Sequence, residues 1–406
     1  MKISTINRNI LRLALPSIMA NITVPLVGIV DLAIAGHLGD AASIGGIAIG
    51  SMLFDLLYWN MGFLRVGTGG ITAQAYGRKD FKEAMDTFTR GIATALAVAL
   101  LIWLIQWIYI EAAFALVVCS PEVESIAREY FFIRVWAAPA TLSLMVFKGW
   151  FIGMQNTVLP MAVDITVNVV NVVVSYVLAV HTPMGVAGVA AGTVVAQYSG
   201  LLLAIALMYY NFRKYFHLIS VRASIKLNKM KQFFSINGNL FIRSLCMLVI
   251  YIGFTSIAAR YGDTLLAVSS VMMKLLLLYS YFVDGFAYAG EALVGRFIGE
   301  RNSDYLISTV RWIFIWCFGI SLLSTLIYTK LGKPMFQLMT DNPEVVEASA
   351  PFLFWLLLMP VVSCIAFTWD GIFIGATATN HLRNSMIWSA ALFIISYMAF
   401  EPLLGI

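Results

Sequence analysis

Apolar residues run along this chain in long continuous blocks, and short polar or charged turns separate them. Blocks of about 20 residues or more match helices that cross a bilayer. Eleven such blocks fall at about 10–36, 44–74, 88–117, 124–150, 156–180, 185–211, 232–260, 264–295, 306–331, 346–375 and 384–404. The turns carry Gly, Pro, Asn or charge, as in Gly77-Arg78-Lys79-Asp80 and Ser120-Pro121-Glu122. A β-barrel is excluded, because its strands would read as alternating segments of about ten residues.

A second pattern is an internal repeat. Ile34-Ala35-Gly36-His37-Leu38-Gly39-Asp40 returns as Ile257-Ala258-Ala259-Arg260-Tyr261-Gly262-Asp263. Pro121-Glu122-Val123 returns as Pro343-Glu344-Val345, and Phe147-Lys148-Gly149-Trp150-Phe151-Ile152-Gly153 as Trp369-Asp370-Gly371-Ile372-Phe373-Ile374-Gly375. The offsets are 257 − 34 = 223, 343 − 121 = 222 and 371 − 149 = 222. An even number of spans per half makes both halves enter the membrane from one side. The expected fold is therefore an all-α polytopic membrane protein built from two parallel six-helix repeats, an arrangement of alternating-access transporters. The expected organisation is an N-terminal lobe over 1–212, a basic cytoplasmic linker over 213–231 and a C-terminal lobe over 232–406. The counterpart of the sixth span would end near 211 + 222 = 433, beyond Ile406, so the expectation is a truncated or cleaved chain without a twelfth helix.

Composition narrows the class further. The chain is 61% hydrophobic and 12% charged, which excludes a soluble globular domain. Cys119, Cys246, Cys317 and Cys364 are scattered without ligand spacing, so neither a metal nor a disulfide framework is expected. No cleavable signal precedes the first block, which is too long for one. The net charge of +5 carries orientation. Lys2, Arg8, Arg12, Arg78, Lys79, Lys82, Arg213, Lys214, Arg222, Lys226, Lys229, Lys231, Arg296, Arg301 and Arg383 fall on one side. The other side carries mainly Asp40, Glu122, Glu124, Asp341, Glu344 and Glu347, with Lys330 and Lys333 as exceptions. The N-terminus is thus expected in the cytoplasm of a cell whose inner or plasma membrane holds the chain. The basic link reads as orientation and lipid-headgroup contact rather than nucleic-acid binding.

The candidate chemistry lies inside the blocks. Asp31 sits within the first, six residues after Pro25, which frees a backbone carbonyl and predicts a bend. A carboxylate at that depth is costly unless it faces a cavity or is protonated. It suggests a movable proton or cation site; the alternative is a neutral Asp bonded to a neighbouring helix. Asn168, Asn171 and Ser175 share one helix face, and Thr193 with Gln197 share another. With Asp31 they would make an oxygen-rich pocket, or they simply join helices. The second half carries Lys274, Asp284, Glu291 and Asp370 at membrane depth, and Lys148 stands at the repeat position of Asp370. Lys148 and Asp370 would meet across the pseudo-two-fold or serve the lobes separately. Arg65 is expected to pair with Asp55 or a backbone carbonyl, Asp164 to be interfacial, and His37 to be a cap. The 19 Met, 27 Phe, 17 Tyr and 10 Trp suit a cavity for varied apolar ligands, although most must face lipid or other helices. No H-E-x-x-H, G-x-S-x-G or phosphate-binding Gly loop occurs, which argues against a protease, an ATP-driven pump or another enzyme. No cofactor is expected besides the coupling ion.

Asn9-Ile10-Leu11-Arg12-Leu13-Ala14-Leu15-Pro16, Asp31 with Gly36-His37-Leu38-Gly39, and Ala73-Gln74-Ala75-Tyr76-Gly77 resemble the multidrug and toxic compound extrusion (MATE) family. Asp284-Gly285-Phe286-Ala287, Glu291-Ala292-Leu293-Val294-Gly295 and Asp370-Gly371-Ile372-Phe373-Ile374-Gly375 resemble its DinF branch. The resemblance runs along the whole chain. It implies a twelve-helix architecture in two lobes, a V-shaped central cavity, and export of cationic or amphipathic small molecules by H⁺ or Na⁺ antiport, in a monomer. The family's first-helix acid falls on Asp31, and its N-lobe polar group on Asn171, Ser175 and Thr193. Members often carry a second Asp where this chain has Ser175. That difference favours H⁺ over Na⁺ and leaves at most a weak Na⁺ site at Asp31, Asn171 and Thr193. Asp31, Asp284, Glu291, Asp370 and Lys148 become the cavity candidates. The repeat counterpart of Asp31 is Phe254 (31 + 223 = 254), so coupling is expected in one lobe only. A lipid-linked precursor flippase of the same superfamily is the alternative. It would want a strongly cationic cavity, and the intramembrane cations are few: Arg65, Arg134, Lys148, Arg243 and Lys274.

Overall fold

The computed structural model describes residues 2–37, 41–117, 119–224, 226–340 and 342–403; the expectations on Leu38, Gly39, Asp40, Asp341 and Leu404–Ile406 lie outside them, as do the side chains of His37 and Arg222. Among the described residues the secondary structure is helical throughout. Helix α1 (Lys2–His37) is followed by α2 (Ala41–Trp59), α3 (Phe63–Gly77), α4 (Phe81–Leu116), α5 (Pro121–Arg134), α6 (Ala138–Gly153), α7 (Val158–Val180) and α8 (Val186–Phe212). The short α9 (Val221–Ser224) leads into α10 (Leu227–Arg260), α11 (Asp263–Gly299), α12 (Ser303–Met339), α13 (Pro343–Ala348), α14 (Leu353–Gly375) and α15 (Thr379–Leu403). Each of the eleven apolar blocks is found as helix. Three of them fold as two helices joined by a 3₁₀ turn, at Asn60–Gly62, Val135–Ala137 and Ala350–Phe352. Pro139 and Pro351 stand beside two of these turns, where a missing N–H is tolerated at a helix start. Helix α1, in contrast, runs through Pro16 and Pro25 as one element, so the bend expected at Pro25 does not interrupt it.

The repeat is written in the backbone. Lys79 (φ 58°) and Arg301 (φ 55°) are left-handed 222 positions apart (301 − 79), and so are Gln155 (φ 63°) and Thr377 (φ 53°) (377 − 155). A non-glycine residue in this region is unfavourable, so a recurring pair means that both halves make the same tight turns. The helix caps recur at the same offset. Asp80 and Asn302 accept from the N–H groups of Glu83 and Tyr305, and Ser120 and Asn342 accept from those of Val123 and Glu344.

Helices α2–α8 pack among themselves through α7 on α8, α3 on α6 and α2 on α5, and α10–α15 through α11 on α14, α12 on α14 and α10 on α15. The two sets meet where α11 lies against α1, α3 and α6. A core cluster joins Ile6, Ile10 and Leu13 of α1 to Val283, Phe286 and Ala289 of α11. Farther along, α3 crosses α11 on glycine. A Cβ at Gly77 would run into the Arg296 carbonyl, and one at Gly299 into the Gln74 carbonyl. Gln74 and Arg296 are themselves repeat mates (296 − 74 = 222), so the pseudo-two-fold axis passes between the two glycines. Only a residue without a side chain permits backbones this close. Lys79, Gln155, Arg301 and Thr377 all follow the helix ends gathered here, which we call the basic face.

Candidate functional site

Two polar groups lie inside the helical body. The first is in the N-terminal half. Asp31 on α1 is 8% exposed, and its Oδ1 has no hydrogen-bond partner among the described residues. The cation in its electrostatic field is Arg134, which also faces Asp55. Arg134 is held in place: it donates to the Tyr130 hydroxyl (2.8 Å) and to Ser51 Oγ (3.4 Å), and its guanidinium lies 4.8 Å over the Phe54 ring. Tyr130 and Arg134 are one helical turn apart, which places both on the same face of α5.

The Asn171 group lies between α7 and α8. Asn171 Nδ2 donates to Thr193 Oγ1 (3.0 Å) and to Ser175 Oγ (3.4 Å). Both hydroxyls donate onward to the Val189 carbonyl, at 3.2 and 3.3 Å. Asn171, Ser175 and Thr193 are thus brought together, and Asn171 Oδ1 is left buried without a partner among the described residues. Asn168 is not part of this group. Its Nδ2 turns to Thr23 Oγ1 on α1 (2.6 Å), so it joins α7 to α1. No hydrogen bond links Asp31 to Asn171, Ser175 or Thr193 among the described residues.

The second group sits where the halves meet. Arg65 on α3 donates to Glu291 Oε2 on α11 (3.1 Å), and its guanidinium lies 4.4 Å from the centre of the Tyr288 ring. The pairing expected for Arg65, with Asp55 or a carbonyl, is therefore incorrect. The 3₁₀ turn that separates α2 from α3 directs Arg65 toward α11. Glu291 is fully buried with Oε1 unpartnered among the described residues, and that oxygen fills the place where a Cβ of Gly69, its own repeat mate (291 − 69 = 222), would stand. Asp284 lies seven residues before Glu291 on α11, in the electrostatic field of Arg65, Arg243 and Asp370. Lys148 and Asp370 do not meet. Lys148 pairs with Asp164 (2.8 Å) and Arg243 with Asp370 (2.7 Å), each within its own half. Asp164 is accordingly half-buried and paired with Lys148. A group with Asp370 near a positive charge gains more from Arg243, on adjacent α10, than from a lysine in the other half.

Sequence reasoning missed Arg134 as the neighbour of Asp31, and missed three links across the halves at the basic face. Gln74 donates to the Gly375 carbonyl and to Thr377 Oγ1 (3.1 Å each), and Gln155 donates to the Ala292 carbonyl (2.7 Å). A signal was present: an Arg one turn after Tyr130 in an apolar block, and Gln74 and Gln155 close to Gly77 and Gly153.

The MatE family model matches residues 16–177 and again 240–399, one copy on each half. The chain is 34% identical over 397 residues to DNA damage-inducible protein F of Escherichia coli (strain K12), covering 97% of this chain and 85% of that one. It is 22% identical over 355 residues to a probable multidrug resistance protein NorM of Thermotoga maritima, covering 86% and 75%. Among solved structures, a MOP superfamily transporter from Pyrococcus furiosus, described as having a binding pocket of reverse polarity, superposes with a TM-score of 0.85 at 18% identity, covering 98% of this chain and 88% of that one. Two consecutive matches to one family model, on halves that share their turns and caps, make the chain a member of the MatE family of multidrug efflux transporters.

Proposed function

We propose that the chain is a secondary-active exporter that couples H⁺ entry to the efflux of cationic or amphipathic small molecules, with Asp31 as the coupling group. The observation that carries this reading is the buried Asp31 carboxylate with an unpartnered oxygen. Such a group exchanges a proton at low cost in rearranged hydrogen bonds, because none has to be broken. Deprotonated Asp31 favours the substrate-receiving state. Protonation removes its attraction to Arg134, lets α1 readjust near Pro25, and releases the substrate.

The choice of H⁺ over Na⁺ is supported by the oxygens left over. Ser175 and Thr193 already serve Asn171 and the Val189 carbonyl. Each hydroxyl keeps one lone pair beside Asn171 Oδ1, but no hydrogen bond among the described residues joins this group to the Asp31 carboxylate in one set of oxygen ligands for a hard cation. The flippase alternative is disfavoured by charge. Arg65, Arg243 and Lys148 each have a carboxylate partner in Glu291, Asp370 and Asp164, so the junction is not strongly cationic. The same reading puts the basic face in the cytoplasm, treats residues 1–212 and 232–406 as lobes that move on each other, and takes the chain as a monomer with no enzymatic step.

The test is efflux of a cationic dye from proteoliposomes under an imposed ΔpH or an imposed ΔNa⁺. Wild type is expected to respond to ΔpH, and Asp31→Asn to lose that response at normal expression. Undiminished ΔpH-driven efflux in Asp31→Asn would remove Asp31 from the mechanism, and drive by ΔNa⁺ alone would reverse the ion assignment.

A further inference from the structure

The repeat produces two cavities at the basic face, one on each side of the α3–α11 crossing. The first is about 350 Å³ and is bordered by Leu13, Gln155 and Arg296; the second is about 220 Å³ and is bordered by Ile236, Thr377 and Gln74. Gln155 matches Thr377 and Gln74 matches Arg296 at the repeat offset, so the pair is one cavity drawn twice. Their charge differs. Arg12, Lys214 and Arg296 line the first; Glu300 pairs with Arg296 from outside the lining, and no carboxylate lines the cavity among the described residues. In the second, Glu83 neutralises Arg90 (2.5 Å) and Lys229 (3.1 Å), and Asp80 stands with Arg78. A symmetric scaffold that leaves Arg12 and Lys214 without a carboxylate partner among the described residues, on the side where its mate sets Glu83 against Arg90 and Lys229, points to an anion there.

The first cavity also holds its cations in position. Lys214 Nζ lies 4.9 Å from the centre of the Tyr215 ring, and Arg296 lies 5.8 Å from that of Tyr76. Arg296 shares its guanidinium with Glu300 through Nε (2.7 Å), which leaves its terminal nitrogens for a ligand. Gln155 adds an acceptor: it is held in a left-handed conformation, and its buried Oε1 has no partner among the described residues. Three cations suit a phosphate, the rings suit an organic stem, and the free Oε1 suits a hydroxyl donor.

The geometry points to a binding site for a phosphate ester carrying a free hydroxyl, in the cavity between Arg12, Lys214, Arg296 and Gln155. The ligand is either a phosphatidylglycerol-type headgroup or a soluble glycerol phosphate. It touches Arg12 on α1, Gln155 just after α6 and Lys214 just after α8 on one side and Arg296 on α11 on the other, so its occupancy favours the arrangement in which the basic face is closed.

The test is thermal unfolding of the full chain in neutral detergent, with dihexanoyl phosphatidylglycerol, glycerol 3-phosphate, or dihexanoyl phosphatidylcholine as the control. A raised midpoint is expected with phosphatidylglycerol, and with glycerol 3-phosphate as well if the acyl chains contribute nothing. Arg12→Gln/Lys214→Gln is expected to weaken the response roughly tenfold or more in concentration, and Lys229→Gln in the second cavity to leave it intact. Lys214→Gln alone, at an exposed position, serves if the double variant folds poorly. An equal shift with phosphatidylcholine, a shift unchanged in both cavity variants, or no shift with either phosphate overturns the assignment.

Discussion

At the scale of single residues, the junction between the halves depends on Glu291 occupying the space that Gly69 leaves empty, and on Arg65 reaching it from α3. Neither partner is at home alone in such a place. A buried ion pair contributes little net stability over apolar residues of equal volume, whereas removing one member strands the other and costs about 3–5 kcal/mol. Glu291→Ala and Arg65→Ala are therefore each expected to lower the unfolding stability in detergent by about 3–5 kcal/mol. The double variant should lose far less than the sum, and additivity would show that the two groups do not couple. Sequence reading identified Glu291 as a buried acid but gave Arg65 the wrong partner. Distance along the chain hides such pairs: 226 residues separate these two, and only the folded crossing of α3 on α11 brings them together. The same holds for Arg134 and Asp31.

At the scale of elements, the presence and order of the helices were legible, because continuous apolar blocks and polar turns leave few alternatives in a bilayer. Several ends run past the apolar blocks: α1 begins at Lys2 rather than near 10, α4 at Phe81 rather than near 88, and α12 ends at Met339 rather than near 331. The interruptions were less legible. A 3₁₀ turn such as Asn60–Gly62 changes where the following helix points without changing the hydropathy of its block. The internal repeat was visible in other segments, but the crossing of α3 on α11 was not, since Gly77 and Gly299 say nothing of facing each other until the axis between them is known. That crossing makes a sharp prediction. Gly299→Ala puts a methyl against the Gln74 carbonyl, and backbone cannot swing aside as a flexible side chain does. We expect it to prevent close approach at the basic face and to reduce proteoliposome efflux severely. Gly238→Ala and Gly319→Ala, where a Cβ meets nothing within 4 Å, should transport as wild type. Equal efflux in Gly299→Ala would mean that the tight crossing is not needed in the cycle.

At the scale of the molecule, the two halves share turns, caps and crossing glycines, yet their chemistry differs: Phe254 stands at the repeat position of Asp31, and carboxylates line one basic cavity but, among the described residues, not the other. On the proposed function, symmetry of scaffold supplies the motion, and asymmetry of charge supplies what is coupled to it. If the lobes part at the basic face during each cycle, the links now joining them must break. Gln74 Nε2 and Thr377 Oγ1 are 3.1 Å apart, in opposite halves, near that face. Replacing both with cysteine places two thiols across the seam; Cys119 and Cys246, the two half-buried native cysteines, are first changed to Ser so that the new pair reacts alone. Oxidation should then stop ΔpH-driven efflux, and a reductant should restore it. Single variants should be indifferent to oxidant. A cross-linked protein that still exports would mean that the basic face stays closed throughout transport, and the alternation of access would have to arise from movement within one half, with α1 and its Asp31 as the moving part.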